Sequence, residues 1–544
     1  MTGSGGGVTD VQLTETDGGI VIRLGRRSLT HPVRPVEAAR QRAASISTEP
    51  HTLYILASPL LHYGLDVFLD RLPESSCVIG VEQDERLLRL TEKHAARSPG
   101  GIPVLLSRDP ATTANRIARD HMNSTIRRCR LVSFCSGLSI ASEHYRAIEE
   151  LVTQQIANRV RNIATLIHFG RKWCRHIFRS IVHSPVPLPD IPVFGTDAVV
   201  VAAAGESLEA AAPVLREHRN SFRLIAVDTA LGPLAACGLL PDMVVAVESQ
   251  VINTGHFLTT TGQESVLIHD LTCHPDAIRL WPENRRFTVA TRFAELRLFD
   301  RIASYVEDGM QLPGLGSVGV TACEIAARLT GGPIMLAGFD FSYVPGKPHA
   351  KHALSTTLSL IRSGRLTPDI LYELAMSRPL VHRRTSDVRS YTSDSVLLSY
   401  VPQLTQVLPS TRTHTFPRTG PDIGIPESGV DAIRDVFRTQ LPVEGTALSR
   451  VSGIHQLRGG GQYWQSKARS FIAHEQYLLE HAQRSMNSLD ELTDLDYAWV
   501  DFPDAYESGF LSSERGRVRV RSRIESYVQH LNHIANTRVA REPS

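Results

Sequence analysis

Residues 198–247 read AVVVAAAGESLEAAAPVLREHRNSFRLIAVDTALGPLAACGLLPDMVVAV. The run Ala198 to Ala203 is wholly apolar, short and valine-rich, which predicts a fully buried strand. Ser207 to Arg219 then spaces its apolar residues as an amphipathic helix does, and Arg223 to Val227 is a second strand. Leu231 to Cys237 makes a short helix and Met243 to Val247 a third strand. Strands alternating with helices demand a parallel sheet with right-handed crossovers. The pattern continues through strands Val266 to His269 and Phe287 to Ala290. Helix Val318 to Leu329 stops at Gly331-Gly332, and Pro333 to Ala337 is the next strand. The expected fold class is α/β, with a doubly wound central domain.

Toward the N-terminus, residues 1–18 are rich in Gly, Thr and Asp and are expected to form a mobile tail, with order starting near residue 20. Leu53 to Ala57, a helical stretch over Leu60 to Leu72, and Cys77 to Val81 form a strand-helix-strand unit closing on Glu82 and Asp84. An acidic residue at the tip of a second strand often meets a ribose, but the first turn, Ser58-Pro59-Leu60-Leu61, has no glycine run. This is expected to be a Rossmann-like N-terminal domain over 19–184. It ends in a helix over Leu151 to Ser180 carrying Arg159, Arg161, Arg171, Lys172, Arg175 and Arg179 without a single carboxylate. Ile163, Ile167, Trp173 and Ile177 give that helix an ordinary apolar face, so it reads as a surface helix bordering an interface or solvent rather than a nucleic-acid or membrane helix. His183 to Pro192 holds four prolines in ten residues and is expected to be an extended connector, placing a domain boundary near 185. The central domain then spans 185–429, and from about 430 strand signals fade into a helical C-terminal domain over 430–544.

The chain has 544 residues, 42% hydrophobic and 21% charged, with 58 Lys+Arg against 56 Asp+Glu. That composition excludes collagenous and wholly disordered classes, and the near-neutral balance supplies no global field to recruit nucleic acid. Seven scattered cysteines without a Cys-x-x-Cys pair point to a reducing compartment rather than a disulfide framework or thiolate zinc site. No stretch approaches the roughly 18 apolar residues of a membrane span, and the N-terminus lacks a signal-peptide pattern, so a cytoplasmic location without membrane contact is expected.

Ligands of open parallel sheets bind outside the carboxyl ends of the strands. The loop Ala204 to Ser207 turns on Gly205 into a helix, where Ser207 either holds a phosphate or caps the helix. Asp228 follows the next strand and can meet a ribose or cap a helix. Glu248 lies at the active edge, whereas Asp242 precedes its strand and reads as structural. The richest region is Gly314 to Ser317 together with Gly338 to Tyr343, Lys347 and His349. It gathers glycine amides, hydroxyls, a carboxylate, a phenol, an ammonium and an imidazole, more than a core needs.

Those residues resemble a known family. Gly205 to Leu208, Ala226 to Leu231, Gly238 to Asp242, Val247 to Gln250, Gly316 to Ala322, Gly338 to Asp340 and Lys347 to Ala350 resemble the Maf (motility-associated factor) proteins. Ser28 to Pro32 and Pro35 to Ala39 resemble that family's opening signature. The resemblance implies a cytoplasmic flagellin glycosyltransferase that moves a nonulosonic acid, of pseudaminic or legionaminic type, from a CMP donor to Ser or Thr of flagellin. Gly316 to Tyr343 is also similar to bacterial sialyltransferases, implying a sialyltransferase-like (GT-A-like) central domain. Carried over residue by residue, Gly205, Ser207, Asp228, Glu248, Gly316 and Ser317 would bind the nucleotide donor. Asp340 would order the site, Tyr343 would donate to the departing phosphate, and His349 would be the base. The chain departs from the family pattern at Ala203 and Glu206, where a glycine and a proline are usual, and at Glu248, where Asp is usual. His352 is the alternative base.

No metal is demanded, although Asp340 and Glu248 together are the pair that would hold Mg²⁺. Two other readings stand beside transfer. The central domain also resembles archaeal 6-hydroxymethyl-dihydropterin diphosphokinases (MptE-like), which use ATP and Mg²⁺. A non-catalytic flagellin-docking protein is the third, kept open by Glu206 beside the supposed phosphate loop. The C-terminal helices are then the candidate acceptor-binding part.

Overall fold

The computed structural model describes residues 11–95, 101–122, 125–258, 264–344, 347–366, 380–384, 390–457, 460–484, 489–506 and 510–539. Two units emerge, Met1–His168 with Asp501–Ser513, and Phe169–Val500 with Glu514–Ser544.

In the first unit, β1 (Val11–Thr16), β2 (Gly19–Leu24) and β3 (Arg27–Ser28) form an antiparallel meander. This corrects the expected mobile tail for residues 11–18, because β1 pairs with β2 from Val11↔Leu24 to Thr16↔Gly19, while residues 1–10 of that tail lie outside the described residues. No residue of β1 is buried, so its sequence lacks the half-apolar alternation that betrays a strand. β4 (Thr52–Ala57), β5 (Cys77–Glu82), β6 (Val104–Leu106) and β7 (Arg128–Val132) form a parallel sheet ordered β6-β5-β4-β7, half of a Rossmann fold. Every residue of β4 is buried. Leu53, Ile55 and Ala57 pack with Ile148 and Val152 on one face, and Tyr54 and Leu56 with Phe68 on the other.

In the second unit, β8 (Val199–Ala202), β9 (Arg223–Val227), β10 (Met243–Ala246), β11 (Val266–Asp270), β12 (Arg286–Arg292), β13 (Gln311–Pro313) and β14 (Ile334–Ala337) follow the expected strands within a few residues, β13 being an addition. β15 (Leu380–Arg384) and β16 (Ser390–Asp394) make an antiparallel pair, and β17 (Thr413–Thr415) completes an eight-stranded sheet ordered β13-β12-β11-β10-β9-β8-β14-β17. All its pairings are parallel. The chain therefore builds outward from β8 in one direction and returns to β8's other side with β14. The crevice between β8 and β14 is the topological switch point.

Two expected boundaries move. Helix Ser142–His183 runs unbroken through both units, and the division falls at 168 rather than 185. The proline-rich segment is no free connector. Leu188 is fully buried, its N–H donates to Thr288 O at 2.8 Å, and its carbonyl accepts from Met310 N–H at 2.7 Å. Nor do residues 430–544 make a separate domain. Ile433, Phe437 and Val451 belong to the core around the large sheet, with the Phe437 ring 4.9 Å from Phe222. Further along, Arg301 donates to the buried carboxylate of Glu475.

Candidate functional site

β8 and β14 are parallel neighbours in register, Ala202 opposite Ala337, and their following loops meet over the switch point. Ala203 N–H donates to Ala337 O at 2.8 Å and Gly205 N–H to Gly338 O at 2.9 Å. Asp340 clasps the two loops together. One carboxylate oxygen accepts Ser207 N–H at 2.9 Å and the other accepts the Ser207 hydroxyl. Asp340 is 2% exposed, and burial raises its pKa above the ordinary carboxylate value, against the pull of those bonds. A Cβ on Gly205 would lie 2.4 Å from Gly338 O and 2.5 Å from Asp340 Oδ2, so the close approach admits only glycine. Ser207 thus does neither of the two things its sequence suggested. It makes no side-chain cap, and both its protons face Asp340.

The acidic side chain at Glu206 is met by Lys347, with Nζ 3.6 Å away, while the same ammonium reaches Glu209 at 3.1 Å. Lys351 N–H donates to Glu209 at 2.8 Å and Ala350 N–H to Ala204 O at 2.9 Å, laying residues 347–353 along the first loop. His349 sits half-buried in that segment, with Nδ1 3.3 Å from Ser355 Oγ. Its pKa is lowered, first by burial and then by the neighbouring His256. Burial also lowers His256, with the Asp228 carboxylate opposing. Asp228 is 2% exposed and accepts from Thr229 N–H at 2.7 Å, Thr229 Oγ1 at 3.0 Å and Asn253 Nδ2 at 3.0 Å. It therefore holds the turn that precedes helix Thr254–Leu258, on which His256 rides. His352 is the exposed member of its pair, its backbone at φ 68° and its carbonyl pressed against Gly232.

The remaining candidates are tied to their own surroundings. Gly316 N–H donates to Gln403 at 3.1 Å, and a Cβ there would lie 2.5 Å from the Tyr400 ring. Ser317 caps helix Val318–Leu329, its hydroxyl accepting Gly319 N–H at 3.2 Å. Tyr343 is 7% exposed and its hydroxyl donates to Asp394 at 3.0 Å. Since a phenol has one proton, donation from Tyr343 to a phosphate is not open in this arrangement, which corrects that expectation. Glu248 accepts Gln250 N–H at 3.0 Å and its carbonyl accepts His274 N–H at 3.1 Å. Asp242, at the other end of its strand, braces Arg219 and Leu224 N–H, each at 2.8 Å. Among the described residues no group of three His, Cys, Asp or Glu side chains is placed to hold a metal ion.

Sequence reasoning missed His256, Asn253 and Arg418. Arg418 Nε and Nη1 are buried with no hydrogen-bond partner among the described residues. Burial lowers the Arg418 pKa, opposed by Glu427 and then Asp340, so the guanidinium is a charge held near the clasp. Ser342 Oγ donates to Thr419 O at 2.6 Å, fixing that segment against the loop after β14.

Residues 176–346 match the family described as 6-hydroxymethylpterin diphosphokinase MptE-like. Across 96% of its length, at 13% identity and a TM-score of 0.55, the chain superposes on 87% of a solved Maf glycosyltransferase from Magnetospirillum magneticum AMB-1. The chain shares the Maf fold. Together the two matches bear out the resemblance to the Maf family read from the sequence. Two uncharacterized proteins of Treponema pallidum (strain Nichols) are also similar. One is 27% identical over 354 residues, 62% of this chain and 60% of that protein. The other is 28% identical over 107 residues, 20% of this chain and 51% of that protein. The chain thus spans between half and three-fifths of the length of these relatives. Among the described residues no helix is long and apolar enough to cross a membrane.

Proposed function

We propose that the chain is a glycosyltransferase that moves a nonulosonic acid from a CMP donor to a Ser or Thr hydroxyl of flagellin. The observation that carries this reading is the Ser207–Asp340 clasp at the switch point of a Maf fold, with the His349 segment laid along the same loop by Ala350 N–H donating to Ala204 O at 2.9 Å. The donor's anomeric carbon leaves through an oxocarbenium-like transition state, so the site must take a phosphate leaving group and a proton. The acceptor oxygen forms the new bond to that carbon while the bond to phosphate breaks, its electron pair leaving with CMP. The hydroxyl proton goes to His349, which its lowered pKa keeps in the neutral, proton-accepting form at pH 7. Arg418 supplies positive charge for the phosphate, and Gly205, Gly316, Ser317 and Glu248 shape the donor side around the clasp. Asp340 orders the loops, and Tyr343 holds the start of helix Ser395–Val407 through its cap Asp394.

The match of residues 176–346 favours a second reading, pyrophosphoryl transfer from ATP. A thermal-shift panel with CMP, UDP, GDP and ATP, each with and without Mg²⁺, separates the two. Selective stabilisation by CMP is expected, and selective stabilisation by ATP with Mg²⁺ overturns the glycosyltransferase reading in favour of the second.

A further inference from the structure

The four-stranded sheet of the first unit has its own switch point. Its strand order, β6-β5-β4-β7, sends the chain from β4 toward β5 on one side and brings it back as β7 on the other. At the carboxyl ends of β4 and β7 lies a cavity of about 260 Å³. Its walls come from the loop after β4, the loop after β7, Ser28 to Pro32, and Pro35, Ala38, Ala39 and Arg42 of helix Pro35–Ser45. Ser28 to Pro32 and Pro35 to Ala39 are the opening signature, for which the central site has no use.

The cavity is built, not left over. Within five residues after β4, Ser58, Leu60 and His62 all hold left-handed backbone, with φ of 48°, 47° and 59°. Such conformations persist in non-glycine residues only where surroundings impose them, and they gather at functional sites. Here Glu82 imposes the first. Its carboxylate, 1% exposed, accepts Ser58 Oγ at 2.7 Å, Gln83 N–H at 2.9 Å, Asp84 N–H at 3.0 Å and Tyr145 OH at 3.3 Å. The acidic tip of the second strand therefore secures the strained loop from a buried position.

The lining is chemically one-sided. It contains no Asp or Glu, and its lysine or arginine content is Arg42 alone. Arg42 is exposed and makes no ion pair among the described residues. His31 joins it, with Nδ1 accepting the N–H groups of Val33 at 3.2 Å and Arg34 at 3.0 Å. Those bonds leave the ring proton on Nε2 as a donor. Leu56, Leu60, Leu61 and Phe134 supply apolar surface to the same lining.

We propose that this cavity is a second ligand site, for a small organic anion whose carboxylate or phosphate meets Arg42 and His31 and whose apolar body lies on Leu56, Leu60 and Phe134. The site is independent of the transfer chemistry above. The test is calorimetric titration of the full chain with phenyl phosphate, benzoate and neutral benzyl alcohol, repeated on Arg42→Gln and on His349→Ala. At least one anion binds saturably at one equivalent, at least tenfold more tightly than benzyl alcohol. The comparison of phenyl phosphate with benzoate identifies the headgroup. Arg42→Gln, an exposed position whose unchanged melting temperature is checked, weakens that anion at least tenfold, and His349→Ala leaves it unchanged. Binding of neither anion, equal binding of benzyl alcohol, indifference to Arg42→Gln, or loss with His349→Ala overturns the proposal.

Discussion

Removing the Asp340 carboxylate should loosen the loop Ala203 to Leu208 far more than neutralising it. In Asp340→Ala the Ser207 amide, in a residue 5% exposed, loses its acceptor, and so does the Ser207 hydroxyl. An unpaired buried donor costs about 1–3 kcal/mol and a bond to a charged group about 1.5–3 kcal/mol. The burial that raises the Asp340 pKa returns part of this when the carboxylate goes, leaving a net local cost of about 3 kcal/mol. Asp340→Asn keeps an oxygen for the amide and offers its own NH₂ to the Ser207 oxygen, so about 1 kcal/mol is lost. The assay is native-state hydrogen exchange of a peptide spanning 203–208, which reads local opening directly. Asp340→Ala should exchange roughly a hundredfold faster than wild type and Asp340→Asn roughly fivefold. Equal exchange in the two variants would refute the reasoning, because the clasp would then depend on charge and not on satisfied donors.

Gly205→Ala forces a Cβ to 2.4 Å from Gly338 O, so it should destabilise the second unit by about 2 kcal/mol or more, read as a lower melting temperature. His269 is fully buried between Ser184 Oγ and Asp270 O, and burial pushes its pKa down to about 4. The unfolded chain takes up that proton first, so the contribution is intact above about pH 6.5 and is lost as pH falls toward 4, about 3 kcal/mol in all. His269→Gln should flatten that acid limb in denaturation series run from pH 4 to 7. His349→Ala should lower transfer by about 10²–10⁴-fold, and His256→Ala should shift the acid limb of the rate profile, since the charge on His256 lowers His349. Both variants should keep the CMP-induced rise in melting temperature.

The parallel sheet was legible because buried strands leave nearly continuous apolar runs such as Val199–Ala202 and Arg223–Val227. Strands without a buried face, such as Val11–Thr16, and strands as short as Gln311–Pro313 leave no such trace. Domain limits failed for a related reason. Proline density predicts an extended segment, but not that Leu188 would plug into the sheet. Helical periodicity predicts helices after 430, but not that Phe437 would pack on Phe222. At the site, residues near glycines and strand ends were visible, including Asp340, Asp228 and His349. His256 and Arg418 were not, because His256 lies on the short helix Thr254–Leu258 and Arg418 in an irregular segment, and each gains its charged neighbours only through the fold. Tyr343 was visible as a phenol at a strand end, while the Asp394 that takes its proton lies on another element entirely.

The most direct test of the central claim is the intact mass of purified flagellin after incubation with this chain and a CMP-nonulosonic acid. The account predicts mass steps of one sugar residue each, appearing with wild type and absent with His349→Ala. Flagellin of unchanged mass with a chain that still binds CMP would contradict it.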